Sequence, residues 1–197
     1  MAKGLYLRLD DREAGRLLGD FARQLRERGK FETVIARAQN AALDTARAEA
    51  VRVIREEFNA PSGEIRKTMT VKKATKRTLQ ARLSLKGRMS VELVHYGARQ
   101  VRKGVAVKVL KSSRKSAIRS GGALGILETK KRKASATWIA KGHVLARVDG
   151  KDHPIMLWGP SFLSRLSSDD NRARIETAAA TRFEGSLKHF ADQMLKK

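Results

Sequence analysis

The chain has 197 residues and carries 43 Lys and Arg against 20 Asp and Glu, a formal net charge of +23. It has no cysteine, which excludes disulfides, thiolate zinc sites and a cysteine nucleophile. No apolar run approaches the roughly 18–20 residues that cross a bilayer, and Met1-Ala2-Lys3-Gly4 does not read as a signal peptide, so a soluble chain made in the cytoplasm is expected, of one domain.

A short alternating run, Leu5–Leu9, suggests a strand. Asp10 or Asp11 then caps a helix to about Arg28, with Ala14, Leu18, Phe21 and Leu25 on one face and Gly29 at its C-cap. A longer helix is predicted from Phe31 to Phe58, with an alanine-rich inner face suited to close packing on a sheet or a neighbouring helix. Asn59-Ala60-Pro61 breaks it, and Ser62-Gly63-Glu64 opens a short helix to about Lys67.

From Thr70 the period changes to two. Leu79, Ala81, Leu83 and Leu85 suggest one strand, Val91, Leu93 and Val94 another, with Gly87-Arg88 as the turn between them. Lys72, Lys76, Arg82, Lys86 and Arg88 interleave with the apolar residues and are expected to line an exposed basic sheet face. Ala98-Arg99-Gln100 reads as a link to a clear strand, Val105–Leu110. Residues 111–133 are irregular and read as a long loop or β-arm carrying Lys111, Arg114, Lys115, Arg119, Lys130, Lys131, Arg132 and Lys133. Thr137–Ala140 re-enters the sheet.

His143 to Phe162 organises the rest. Val144, Ala146 and Val148 alternate with Leu145 and Arg147, Asp149-Gly150 is a hairpin turn, and a second strand runs to Gly159-Pro160. Ser161 is an N-cap candidate for a helix from Phe162, carrying Leu163 and Leu166. Ser167-Ser168-Asp169-Asp170 caps a final helix with an apolar stripe of Ile175, Ala179, Phe183, Leu187, Phe190 and Met194. Gly185 in that helix costs about 1 kcal/mol relative to alanine, which suggests that a close contact requires it. The fold class is α+β: N-terminal helices over 10–59, a central antiparallel β-sheet over 61–160 with its basic arm, and a long C-terminal helical part over 161–197 packed on the sheet.

Charge is unevenly spread. Residues 10–59 hold ten basic and ten acidic side chains, and residues 134–197 hold ten and seven. Residues 61–133 hold twenty-one basic side chains and only Glu64, Glu92 and Glu128. Such a concentration calls for an anionic partner.

Arg147, Lys151, Pro154, Ile155, Leu157, Gly159, Pro160 and Ser161 form a pattern: a basic residue before a Pro-Ile strand that runs into Gly-Pro-Ser. This pattern and the order of elements resemble the minor tail protein Z family of long-tailed bacteriophages and prophages. The resemblance implies a virion protein of the head-proximal tail end, acting in tail completion and head–tail joining. It implies a homo-oligomeric ring, matched to the sixfold tube as a hexamer, and neighbours such as the tail terminator or tube and the head–tail connector. On that reading Pro154, Gly159, Pro160 and Ser161 make a structural corner. The basic arm then meets an acidic neighbour or the genomic DNA in the channel.

The residues themselves favour no catalytic chemistry, and no cofactor or membrane partner is expected. His95, His143, His153 and His189 lack metal-ligand spacing, and the meeting of His143 and His153 across the hairpin reads as structural. Gly121-Gly122-Ala123-Leu124-Gly125 lacks the Lys-Ser/Thr of a phosphate loop. The alternative function is sequence-independent nucleic-acid binding through the basic β region. Tyr96, the one aromatic between Pro61 and Lys133, leaves little for base stacking.

Overall fold

A computed structural model describes residues 16–85, 90–102, 104–112, 116–119, 134–148 and 152–196. The Leu5–Leu9 strand, the Asp10/Asp11 cap with Ala14, the Gly87-Arg88 and Asp149-Gly150 turns, and the Gly121–Gly125 run lie outside these residues. Helices and small antiparallel sheets coexist, so the α+β class holds. The chain divides into two compact units, Met1–Arg52 with Met69–Gly87 and Arg165–Lys197, and Val53–Thr68 with Arg88–Ser164.

The described part of the first unit is built mainly on helices. Residues 16–18 are helical, but Gly19 takes φ +48° and the chain restarts as α1, Asp20–Glu27. The uninterrupted helix expected from Asp11 to Arg28 is therefore broken, because only glycine enters that left-handed region without strain. Gly29, at φ +63°, closes α1 with a Schellman motif: its N–H donates to Arg26 and the Lys30 N–H donates to Leu25. The next helix, α2 (Phe31–Glu57), runs 27 residues without Gly or Pro, and its alanines favour helix at little side-chain entropy.

The last helix, α5 (Asp169–Leu195), has the expected inner stripe, with Ile175, Ala179, Phe183 and Leu187 buried. Leu18, Ala22 and Leu25 join Phe31, Val34, Ile35, Ala38 and Ala42 of α2 and Phe183, Leu187 and Ala191 of α5 in one apolar cluster, with Phe190 and Met194 half-buried beside it. Each large side chain buried there contributes on the order of 2 kcal/mol. Glu49 ties α2 to α5: its carboxylate accepts from Arg52 Nη1 at 2.9 Å and from Arg174 Nε at 2.6 Å. Ser168 is the N-cap of α5, but its hydroxyl donates to Arg165 O and accepts from Asn171 Nδ2 at 2.8 Å. The side chain of Asn171 thus braces the helix start. Gly185 is exposed, with no atom within 4 Å of a Cβ built there, so the close contact inferred for it is absent among the described residues.

The same unit holds a two-stranded hairpin, β1 (Met69–Lys72) and β2 (Arg82–Leu85), paired antiparallel. This sheet is separate from those of the second unit, so among the described residues the strands make three small sheets in place of one.

The second unit opens with the end of α2 and α3 (Ser62–Lys67). The strand expected at Val91–Val94 is instead a 3₁₀ turn, Leu93–Tyr96, ended by Gly97 at φ +69°. Leu93 and Tyr96 are both wholly buried, and a threefold turn puts residues three apart on one side. The Ala98–Gln100 link contains a strand, β3 (Arg99–Val101), that pairs with β4 (Gly104–Val107). The strand expected to reach Leu110 ends at Val107, and Leu110 makes a separate bridge with Phe58. β4 also pairs with β5 (Ser116–Arg119), a strand within the stretch read as a long loop or β-arm. The third sheet is β6 (Ala134–Ala140), β7 (His143–Val148) and β8 (Ile155–Met156). Gln100 Oε1 accepts from the Ile139 N–H at 2.9 Å and joins β3 to β6.

Candidate functional site

Two features carry the sequence-predicted residues, one in each unit. The first is the corner at the end of β8. Leu145 pairs with Met156 and Ala146 with Ile155. Beyond Met156 the chain stays extended: the Leu157 N–H donates to Val144 O, the Leu93 N–H to Leu157 O and the Gly159 N–H to Val91 O. Gly159 thereby lies against the buried Tyr96 ring. A Cβ at Gly159 would stand 2.6 Å from both Tyr96 Cε2 and its hydroxyl, so no other residue fits without moving the ring. Pro160 supplies no N–H, and Ser161 Oγ accepts from the Leu163 N–H at 3.3 Å. That is the expected cap, with the helix α4 (Leu163–Leu166) starting one residue later than Phe162. Phe162 is buried against Phe58, ring centroids 5.1 Å apart. Pro154 is exposed just ahead of β8.

The Tyr96 hydroxyl is buried with no hydrogen-bond partner among the described residues. Burial pushes its pKa far above the ordinary value of 10.0. His143 does not meet His153. Its Nδ1 donates to Glu92 Oε2 at 2.7 Å, a contact that ties the start of β7 to the residue bridged with Trp158. Glu64 accepts from Lys67 Nζ at 2.7 Å and lies 3.7 Å from His95 Nε2. The Lys67 hydrogen bond is the main cause that holds the Glu64 carboxyl below its usual pKa. Among the described residues no group of three or more His, Cys, Asp or Glu is placed to hold a metal.

The second feature is the basic β1–β2 hairpin. In register, Thr70 faces Ser84 and Lys72 faces Arg82. Strand alternation puts these four on one face and Met69, Val71 and Leu83 on the other, and Met69 and Leu83 are buried. Lys72, Lys73, Lys76, Arg77 and Arg82 are all exposed. The turn between the strands is held from below by α2. Asn40 Nδ2 donates to Ala74 O at 3.0 Å while its Oδ1 accepts from the Ala74 N–H at 2.8 Å. Gln39 Nε2 donates to Leu79 O at 3.0 Å. Thr75 closes the tip: its N–H donates to Thr78 O, and its Oγ1 accepts from the Thr78 N–H.

Of the residues expected on a basic sheet face, Lys72 ends β1 and Arg82 begins β2, Lys76 lies in the turn between the strands, and Lys86 and Arg88 lie outside the described residues. Of the predicted arm, Lys111 is exposed and its N–H donates to Glu57 O at 2.8 Å. Arg119 is the last residue of β5, opposite Gly104. Arg114, Lys115, Lys130, Lys131, Arg132 and Lys133 lie outside the described residues. Lys73 and Arg77 were not singled out by sequence, nor were Asn40 and Gln39. The signal available was two amides within an alanine-rich helix face, and a Thr-Lys-Arg-Thr tetrad that favours a side-chain-closed turn.

No family model, curated protein or solved structure matches this chain. No described helix is long and apolar enough to cross a membrane.

Proposed function

We propose that this chain is a structural subunit of a phage tail, acting in tail completion and head–tail joining at the head-proximal end as a member of a homo-oligomeric ring. The observation that carries the reading is the Gly159-Pro160-Ser161 corner. The motif through which the sequence resembles tail protein Z has a specific folding task here: Gly159 admits the Tyr96 ring and Ser161 caps the following helix. A motif spent on fixing an angle of the chain suits a subunit whose task is to hold a shape between neighbours. On this reading the basic run Lys130–Lys133 reaches an acidic surface of a connector, terminator or tube protein, or the descending DNA.

The test is genetic. Removing this chain from a particle-producing host is expected to leave tails that do not join filled heads, with joining restored by the wild-type chain. Unchanged yields of infectious particles without it would overturn the proposal. Charge reversal of Lys130, Lys131, Arg132 and Lys133 is expected to impair joining while the chain still folds.

A further inference from the structure

We propose that the exposed face of the β1–β2 hairpin, with the turn at its tip, is a docking surface for the phosphate backbone of a nucleic acid, engaged without regard to base sequence. This goes beyond the tail reading and rests on the first unit alone.

The hairpin is arranged against its own electrostatics. Lys72, the last residue of β1, is exposed and begins a run of like charges, which repel when held close together. Lys73, Lys76 and Arg77 follow within the same turn, and no Asp or Glu stands between Glu64 and Glu92. Among the described residues no carboxylate pairs with Lys72, Lys73, Lys76 or Arg77. A polyanion relieves that repulsion.

The geometry is also fixed in advance. Asn40 clamps both polar groups of the Ala74 backbone and Gln39 holds Leu79. Thr75 closes the tip that presents Lys76 and Arg77. Little ordering entropy therefore remains to be lost when an extended anion docks. Thr70 and Ser84 share the strand face of Lys72 and Arg82, and Lys, Arg, Ser and Thr are the side chains that contact phosphate and sugar.

The partner class follows from what the surface lacks. It has no aromatic residue, so neither base stacking nor the buried aromatic anchors of protein hot spots are provided. The described exposed large hydrophobics, Leu17, Val101 and Trp158, lie elsewhere in the chain, so the hairpin offers no apolar wedge to a bilayer. Cations and hydroxyls on a pinned turn match phosphates.

The experiment is a salt titration of binding to a short fluorescent DNA duplex, using the full chain. The hairpin variant is Lys73→Gln, Lys76→Gln and Arg77→Gln. The matched control removes three exposed cations of α5 and the C-terminus, as Arg182→Gln, Lys188→Gln and Lys196→Gln. The hairpin variant is expected to lose about tenfold or more in affinity at low salt and to show a log–log salt slope shallower by about 3. The control loses much less. Lys73→Arg with Lys76→Arg keeps the cations and is expected to bind as the parent does, and far-ultraviolet circular dichroism checks each fold. Equal losses in both triple variants would show only diffuse attraction to a basic chain and would overturn the proposal. Loss confined to polyglutamate or to phosphatidylserine vesicles, with duplex binding intact, would overturn it in favour of an acidic protein or a membrane. Failure of the tail reading leaves this binding unaffected, and failure here leaves head–tail joining to be judged separately.

Discussion

Gly159 and Tyr96 share one space: a Cβ on the glycine would come to 2.6 Å from the tyrosine ring. The Gly159→Ala protein is expected to be destabilised by about 1–3 kcal/mol, the usual cost of overpacking a filled core. Urea unfolding of the two proteins measures it. An alanine variant as stable as the parent would mean that the ring moves freely and that the corner is not rigid.

The buried Tyr96 hydroxyl gives a second prediction. It has no partner among the described residues, and an unsatisfied buried hydroxyl costs free energy. Tyr96→Phe is expected to leave stability unchanged or to raise it by about 1 kcal/mol at neutral pH. The sign of the pH effect follows from the raised pKa. The folded state holds the phenolic proton where the unfolded state releases it, so the contribution is whole below pH 10.0 and is lost as pH rises above it. The stability of the parent relative to Tyr96→Phe should therefore fall from that pH upward, by up to about 1.4 kcal/mol per pH unit.

Gly185 offers the opposite case. It sits on the exposed side of α5 with open space around it, so Gly185→Ala is expected to stabilise the protein by about 1 kcal/mol. A thermal melt suffices, and a lower melting temperature would reveal a contact outside the described residues.

Asn40→Ala removes both clamps on Ala74 and is expected to cost about 1–3 kcal/mol. It should also raise amide hydrogen exchange across residues 73–80 while α5 stays protected. Unchanged exchange there would show that the turn holds itself.

The helices were legible because their signals are local. The α5 stripe repeats at steps of three and four, and Gly29 marks the end of α1 with a motif that needs only neighbouring residues. The second unit was harder. Alternation at Val91–Val94 suggests a strand, yet Leu93 and Tyr96 meet the core from one 3₁₀ turn, a preference set by the distant Leu157 and Gly159 backbone. Arg99–Val101 carries too little apolar pattern to read as a strand, since all three residues are exposed and only pairing with β4 makes them one. The corner was found as a motif, but its reason, the Tyr96 ring, lies some sixty residues earlier in sequence (159 against 96). The basic face was visible as composition. Its pinning by Asn40 and Gln39 was not, because side-chain amides on a helix do not announce a partner more than thirty residues away.

The most direct test of the tail assignment is to locate and count the chain in finished particles, by gold labelling of an epitope-tagged copy and quantitative mass spectrometry. The account predicts label at the head-proximal tail end and a copy number fitting one ring. Purified infectious particles that contain none of the chain would contradict it.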